Sequence, residues 1–312
     1  MKGMELAKAY YQEYGQQIRS RFPGYENKMA FGLVGEGSEC YGYDDETSQD
    51  HDFGPGFCIW ITRETARAIG GELQKAYDEL PKSFMGYTRQ ETPEGAGRLG
   101  VHPIDRFYAR YTNVESGIPQ GNLEWLRIPE RFLSIATNGE VFDDPEGAFT
   151  RARTALLGYY PADVLRKKLA ARAAVCSQSG QYNFPRCMNR GDEAAAWLAL
   201  GEFVPAALSA CYLLEKKYMP FYKWAFRGTE DFRILGGTVR DLRSLIALGN
   251  DKGAAGQKQQ LIESICSQLA GELSRQGFSN TADPFLQAHL PSIMGGIADP
   301  QIRGLHVMAD CE

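Results

Sequence analysis

The chain has 312 residues, which at roughly 150 residues per domain is enough for about two domains. Its composition, 43% hydrophobic and 23% charged, is that of a globular protein and excludes a disordered, collagen-like or coiled-coil chain. The formal net charge of -5, from 34 Lys and Arg against 39 Asp and Glu, excludes attraction of the whole protein to nucleic acid or to an anionic membrane.

Cysteine and histidine usage disfavours two kinds of metal site. The seven cysteines are scattered and form no CxxC pair, so we expect reduced, mostly buried thiols and no structural zinc. The four histidines have no partner four residues away, which disfavours a His-based metalloenzyme. No apolar run approaches the roughly 20 residues of a membrane span, and the charged N-terminus does not resemble a secretory signal. We therefore expect a soluble, cytoplasmic protein without membrane partners.

The first part of the chain predicts an α/β domain. Apolar residues at helical spacing indicate a helix at 4–21, and a short apolar strand at 29–34 leads into the turn Gly35-Glu36-Gly37-Ser38. Two extended segments are predicted next, at 50–53 and 56–62, and a helix follows at 63–79. A further strand within 101–111 runs into a helix.

The second part predicts a helical domain. Ala-rich helical patterns follow one another at 147–157, 162–178, 192–218 and 253–275. The turn at 143–147 places the boundary near 145, which gives domains of 1–145 and 146–312, the second closing a cleft over the first. The predicted fold class is α+β, with a mixed sheet in the N-terminal domain and an all-helical C-terminal domain.

One arrangement of residues suggests chemistry. Gly37-Ser38 follows the apolar strand, and eleven residues later Asp50-His51-Asp52 precedes a second apolar run. In an extended segment Asp50 and Asp52 lie on one face, where a divalent cation would offset their repulsion. Carboxylates and nucleotide phosphates together are typical magnesium ligands, and the glycine-serine turn can donate to phosphate oxygens. An ordinary solvated loop is the alternative interpretation of each piece taken singly.

This order of residues resembles the signature of the polymerase-beta-like nucleotidyltransferase superfamily. The resemblance implies that Asp50 and Asp52 bind catalytic Mg²⁺, with Mn²⁺ as a substitute, and that Gly37 and Ser38 contact the nucleotide. It also implies a third carboxylate on a later strand, for which Asp105 is the available residue. A helix cap or a surface charge is the alternative for Asp105, because Pro103 limits strand pairing there.

A second resemblance covers most of the chain. The stretches GEVFDD (139–144), SGQYN (179–183) and PFYKW (220–224) are similar to a bacterial family catalogued as domain of unknown function 4037. Members of that family join a nucleotidyltransferase-like domain to a helical one. In related small-molecule nucleotidyltransferases the helical domain supplies a glutamate base, and Glu202 is the candidate here, with an ordinary exposed or salt-bridged glutamate as the alternative.

The helical domain contains cations and aromatic residues that a polyphosphate could contact. Lys168 shares a helix face with Arg172, and Tyr182, Arg186 and Arg190 lie in or just after the polar break at 179–186. Lys223 is embedded among aromatic residues, where its amine needs solvent or an anion. The alternative for Lys168 and Arg172 is a solvated basic face, and the alternative for the break at 179–186 is a structural turn. The aromatic residues around Lys223 could simply pack against one another.

The sequence thus favours a nucleotidyltransferase that moves AMP from ATP, or the equivalent group of another nucleoside triphosphate, to a hydroxyl of an unidentified small molecule or protein. The alternative is a non-catalytic nucleotide-binding or regulatory module, such as the nucleotidyltransferase-like half of a toxin-antitoxin pair. Polymerisation on nucleic acid fits poorly with the negative charge and the absence of a basic stripe in the sequence.

Overall fold

The computed structural model describes residues 1–48, 53–89, 95 and 97–310. It is 60% helical and contains a mixed four-stranded sheet and a helical C-terminal region, which confirms the predicted α+β class. The chain forms two compact units. Unit 1 contains Met1–Pro119 and Phe132–Gly158, and unit 2 contains Gln120–Arg131 and Tyr159–Glu312.

Unit 1 is built around the four-stranded sheet, whose strand order is β5-β2-β1-β6. Strands β1 and β2 pair antiparallel, as do β1 and β6, whereas β2 and β5 pair parallel. The elements of unit 1, apart from short 3₁₀ turns, are α1 (Gly3–Ser20), β1 (Ala30–Leu33), β2 (Cys58–Ile61), α2 (Arg63–Asp78), β3 (Ser83–Phe84), β4 (Tyr87–Thr88), β5 (Gly100–Pro103), α3 (Ile104–Thr112), the larger part of α5 (Glu130–Thr137), β6 (Glu140–Asp143) and α6 (Ala148–Leu157).

Both faces of the sheet are covered, which is why β2 reads as an unbroken apolar run. Side chains alternate along a strand, so Ile59 and Ile61 join the cluster formed with α1 and α2. Trp60 points to the opposite face, where its ring stacks on Phe149 of α6 with centroids 3.8 Å apart. All four residues of β2 are buried. The sheet therefore has a hydrophobic layer on each side.

The predicted boundary near 145 falls inside unit 1. Strand β6 pairs with β1, and Phe149 of α6 is fully buried against Trp60, Phe107 and Tyr108. These contacts hold the segment 132–158 in the first unit. The change to Ala-rich composition, which guided the boundary prediction, does not reveal on which body a single amphipathic helix packs.

Unit 2 is helical. Helix α7 and the second half of α9 are largely buried, and the two helices pack against each other. The helical elements of unit 2, apart from short 3₁₀ turns, are α4 (Asn122–Leu126), the first two residues of α5, α7 (Ala162–Cys176), a π-helix (Ser177–Asn183), α8 (Phe184–Asn189), α9 (Glu193–Leu214), α10 (Tyr222–Ala225), α11 (Gly236–Ala247), α12 (Ala255–Arg275), α13 (Leu290–Gly295) and α14 (Pro300–Arg303).

Helix α9 is long and apolar enough, by length and composition, to cross a membrane. An 18-residue window within it has a mean hydropathy of 1.5, and 67% of that window is buried in the fold. We expected no such stretch, because the sequence has no uninterrupted apolar run of that length. The many alanines of α9 raise its mean hydropathy. Its buried residues pack against α7, as expected for a helix in the core of unit 2.

Truncation of Phe149 tests the assignment of α6 to unit 1. We expect Phe149→Ala to lower the free energy of unfolding by about 3–5 kcal/mol, since it removes a buried aromatic side chain from the Trp60 cluster. Leu157→Ala on the same helix is the control, because Leu157 is 49% exposed. Urea denaturation of both variants decides the matter, and equal small effects would contradict the assignment.

Candidate functional site

Unit 1 contains a cavity of about 610 Å³ with a basic, glycine-rich lining. This volume lies within the range of small-molecule sites. Four cationic side chains and two carboxylates are among the described lining residues. The polar and glycine lining residues are Gly3, Glu39, Gly54, Gly56, Gln74, Tyr77, Asp78, Lys82, Arg89, Gly95, Gly97, Arg98, His102 and Arg110. Among these described lining residues the cations outnumber the acids, although the total charge of the protein is negative.

The glycine-serine turn lies beside the first of these cations. Gly37 has φ of 116°, a conformation that favours glycine, and Ser38 begins a 3₁₀ turn after it. The Arg98 guanidinium donates to the Glu36 carbonyl at 2.6 Å and to Glu39 Oε1 at 2.5 Å. Arg98 thereby ties the turn at 36–39 to the segment that enters β5.

A second cation is positioned by an aromatic ring. Arg89 Nη1 donates to the Tyr77 hydroxyl at 3.0 Å, and its guanidinium lies 5.3 Å from the centre of the Tyr77 ring. The same hydroxyl accepts a hydrogen bond from the Phe57 amide at 3.2 Å, and burial raises the pKa of Tyr77. The phenol therefore stays neutral and fixes both the arginine and the entry to β2.

The two remaining cations extend the basic lining toward solvent. Arg110, in the last turn of α3, donates to the Gly97 carbonyl at 3.1 Å and is 39% exposed. Lys82 follows α2 and is exposed. Exposed cations of this kind can reorient toward an anion, whereas Arg98 is fixed by its bonds to the turn.

His102 of β5 also lines the cavity and is uncharged at neutral pH. It is 8% exposed, and burial, together with the positive charge of Arg110, lowers its pKa to about 4. Its Nε2 atom has no hydrogen-bond partner among the described residues. A neutral imidazole with one unsatisfied nitrogen could accept or donate a hydrogen bond to a ligand in the cavity.

The predicted metal ligands Asp50 and Asp52 lie outside the described residues. The residues that follow them, Phe53 and Gly54, line the cavity. The chain at Gly54 passes so close to Arg89 that a Cβ added there would lie 2.5 Å from the Arg89 Cα. Among the described residues, no three His, Cys, Asp or Glu side chains cluster in a way that could hold a metal ion.

Asp105 does not lie on a strand. Strand β5 ends at Pro103, and Asp105 is in the first turn of α3, where a carboxylate interacts favourably with the helix dipole. Its Oδ2 atom accepts a hydrogen bond from Arg63 Nε at 2.7 Å and forms an ion pair with Arg63 Nη2 at 2.5 Å. Arg63 follows β2 and Asp105 follows β5, so this ion pair lies at the carboxyl ends of the two parallel strands. The residues 53–56 and Arg98 precede the same strands and lie at their amino ends.

Lys168 and Arg172 are not on a solvated basic face. Lys168 is almost fully buried and its Nζ lies 2.6 Å from Asp310 Oδ1. Arg172 is buried between Glu130 and Asp310, at 3.1 and 3.5 Å. The sequence offers two interpretations of Lys168, a phosphate contact and a solvated basic face, and the ion-pair network differs from both. Most residues of α7 are buried, and buried charges such as these need partners inside the protein.

The polar break at 179–186 covers most of the π-helix that follows α7 and the first residues of α8. Gln181 donates to Glu263 Oε2 at 2.7 Å and accepts from the Leu286 amide at 3.0 Å, so it joins two other segments. Tyr182 and Arg186 are exposed and interact with each other, with the guanidinium 4.5 Å from the ring centre. Arg190 is an exposed residue at the end of α8. The motif is a structural junction with a polar outer side.

Two predicted residues of unit 2 lie near a second cavity, of about 400 Å³. Glu202 of α9 is exposed and lines it, together with Phe221 and Tyr222. Lys223 is exposed, with its Nζ 5.0 Å from the centre of the Trp224 ring, and does not line this cavity. The ammonium group of Lys223 thus lies over an aromatic ring at the protein surface.

Comparison with known proteins bears on the middle third of the chain. Residues 125–225 match a protein family described as "Domain of unknown function (DUF4037)". The match covers about a third of the chain and contains the GEVFDD, SGQYN and PFYKW stretches, and it supports the resemblance to that family. No curated protein and no solved structure matches the chain. The glycine-serine turn and Asp50 lie outside the matched residues.

The sequence interpretation does not include the four cations that line this cavity, namely Lys82, Arg89, Arg98 and Arg110. It places the candidate cations for a polyphosphate in the helical domain instead. Arg98 stands after Gly95 and Gly97, and this local enrichment in glycine beside a cation was the available signal. Arg89 and Arg110 carry no such signal, since they meet in the cavity only through the packing of α2, α3 and β5.

The burial of His102 predicts a pH-dependent stability. An unfolded histidine binds a proton near pH 6.5, whereas folded His102 does so near pH 4, so stability is lost as the pH falls between these values. We expect the wild type to lose about 2 kcal/mol more than His102→Gln between pH 7 and pH 4.5. Urea unfolding at both pH values measures this difference, and equal losses would show that His102 is accessible to protons.

Proposed function

We propose that the cavity of unit 1 binds the phosphates of a nucleoside triphosphate and that the chain is a magnesium-dependent nucleotidyltransferase. It would move a nucleotidyl group, AMP from ATP in the simplest case, to a hydroxyl of a small molecule or protein. The observation that carries this proposal is the meeting of Lys82, Arg89, Arg98 and Arg110 in one glycine-rich cavity, next to the segment that follows Asp50 and Asp52.

The lining suits a polyphosphate better than other anions of its size. Arginine forks bind phosphate oxygens in pairs, and Gly97 leaves open space at its backbone, where the nearest atom to an added Cβ would be Arg110 Nη2 at 4.0 Å. Several cations spread along one cavity match an anion whose charge is spread over successive phosphates. A cytoplasmic location, where nucleoside triphosphates are abundant, would fit this substrate.

In the proposed reaction, the acceptor hydroxyl oxygen forms a bond to the α-phosphorus as the bond to the bridging oxygen of pyrophosphate breaks. The acceptor proton goes to a nearby base or to solvent. Asp50 and Asp52 would hold Mg²⁺ or Mn²⁺, which supplies charge neutralisation on the phosphates. The cationic lining would position the triphosphate and stabilise the charge that develops on pyrophosphate.

A specific observation also favours the alternative, a nucleotide-binding module without transfer activity. Asp105, the one candidate for a third carboxylate, is bonded to Arg63 at the carboxyl ends of β2 and β5. A site with two acids could bind a metal-nucleotide complex and catalyse nothing. The two functions differ in whether pyrophosphate is released.

Substitution of the aspartate pair tests the transfer activity. We expect Asp50→Asn with Asp52→Asn to reduce pyrophosphate release from ATP and magnesium at least 100-fold, since the metal would lose both carboxylates. Glu46→Gln, an exposed acid of the same loop, should leave the rate unchanged. Pyrophosphate is measured with a coupled enzyme assay in the presence of cell extract as the source of acceptor. Undiminished release by the double variant would end the assignment.

A pair of arginines on one helix tests where the phosphates bind. Arg110→Gln should weaken binding of ATP with magnesium about tenfold, the effect of losing one charge-assisted hydrogen bond. Arg106→Gln, on an exposed position of α3 that does not line the cavity, should bind as the wild type does. Isothermal titration calorimetry gives both dissociation constants. Equal affinities of the two variants would place the nucleotide elsewhere.

A further inference from the structure

The second cavity, in unit 2, has an apolar body with a buried polar group in its lining. Its apolar lining residues are Val175, Val204, Pro205, Ala206, Leu208, Met219, Pro220, Phe221, Ala225 and Phe226. Five polar side chains complete the lining, namely Glu130, Arg131, Arg172, Glu202 and Ser209, besides the amphipathic Tyr222. At about 400 Å³, the cavity has the size and composition of a site for a small, mostly apolar molecule.

The carboxylate of Glu130 is only half satisfied. Its Oε1 atom accepts hydrogen bonds from the Ser209 hydroxyl at 2.7 Å and from Arg172 Nη2 at 3.1 Å. Its Oε2 atom has no hydrogen-bond partner among the described residues, although the Glu130 side chain is only 4% exposed. A buried carboxylate oxygen without a donor is costly, and a ligand in the cavity could supply that donor.

The charges around Glu130 favour a neutral donor over a cation. Arg172 and Lys168 contribute two positive charges, and Glu130 and Asp310 contribute two negative ones, all within one buried ion-pair network. An ammonium group would add an unbalanced positive charge next to Arg172, whose desolvation is costly. A hydroxyl group supplies the missing hydrogen bond without changing the charge.

The rim of the cavity favours a ring or a chain attached to that hydroxyl. Phe221 is 40% exposed and Tyr222 is 78% exposed, and the two rings lie 4.3 Å apart between centres. Exposed aromatic side chains beside an apolar cavity gain contact area when a ligand covers them. The described lining thus presents an apolar wall, an aromatic rim and one hydrogen-bond acceptor.

We propose that this cavity binds a small neutral alcohol with an apolar aromatic or aliphatic body, whose hydroxyl donates a hydrogen bond to Glu130 Oε2. The site is distinct from the basic cavity of unit 1, and its occupancy needs neither nucleotide nor metal. The proposal therefore stands or falls separately from nucleotidyl transfer.

Three ligands of nearly equal size test the proposal on the full chain without nucleotide. They are 2-phenylethanol, which is a neutral donor, ethylbenzene, which has no donor, and phenethylamine, which is cationic at pH 7. We expect 2-phenylethanol to bind at least fivefold more tightly than either of the others, as measured by ligand-observed NMR titration. Equal or tighter binding of ethylbenzene or of phenethylamine would overturn the proposal.

Two variants test whether Glu130 causes the preference for the alcohol. Glu130→Gln should abolish the preference for the alcohol, and Glu202→Gln, on the exposed edge of the same cavity, should retain it. Retention of the preference in Glu130→Gln would contradict the assigned acceptor. Loss of the buried charge could unfold Glu130→Gln, so a crystal structure of the wild type with 2-phenylethanol provides the second measurement. The hydroxyl oxygen should lie within about 3.2 Å of Glu130 Oε2, and placement outside this cavity would refute the site.

Discussion

The parallel pairing of β2 with β5 determines which side chains of unit 1 meet. Four residue pairs, from Cys58 with Gly100 to Ile61 with Pro103, set this register. The pairing brings the segment at 53–56 beside the segment at 97–99, where Arg98 binds the glycine-serine turn. It also leaves the ion pair of Arg63 and Asp105 at the opposite ends of the strands. A shift of this register would separate the cations of the cavity from one another.

The two units place their cations differently. In unit 1, four cations line one cavity, and two of them, Arg98 and Arg110, also lie within 4 Å of the carboxylates of Glu39 and Glu36. In unit 2, Lys168 and Arg172 are matched by Asp310 and Glu130 inside the helical core. The polar network of unit 2 therefore supports the second cavity by positioning Glu130, and it offers no free charge to a polyphosphate.

The sequence predicted the fold class and most elements because the apolar periodicities are strong. Strand β2, helix α2 and the Ala-rich helices all follow from local patterns. The location of charges was predicted poorly. Whether a lysine such as Lys168 faces solvent depends on which helices cover it, and the convergence of Arg89 with Arg98 depends on contacts between distant segments. Asp105 shows the same limit, because strand β5 ends two residues before it.

The central claim is that the cavity of unit 1 holds a triphosphate, and a crystal structure with a non-hydrolysable ATP analogue and magnesium tests it most directly. The account predicts phosphate oxygens within hydrogen-bonding distance of Arg89, Arg98 and Arg110, with a metal ion bound by Asp50 and Asp52. A structure in which the triphosphate lies away from these arginines, or in which saturating analogue leaves the cavity without density for it, would contradict the account.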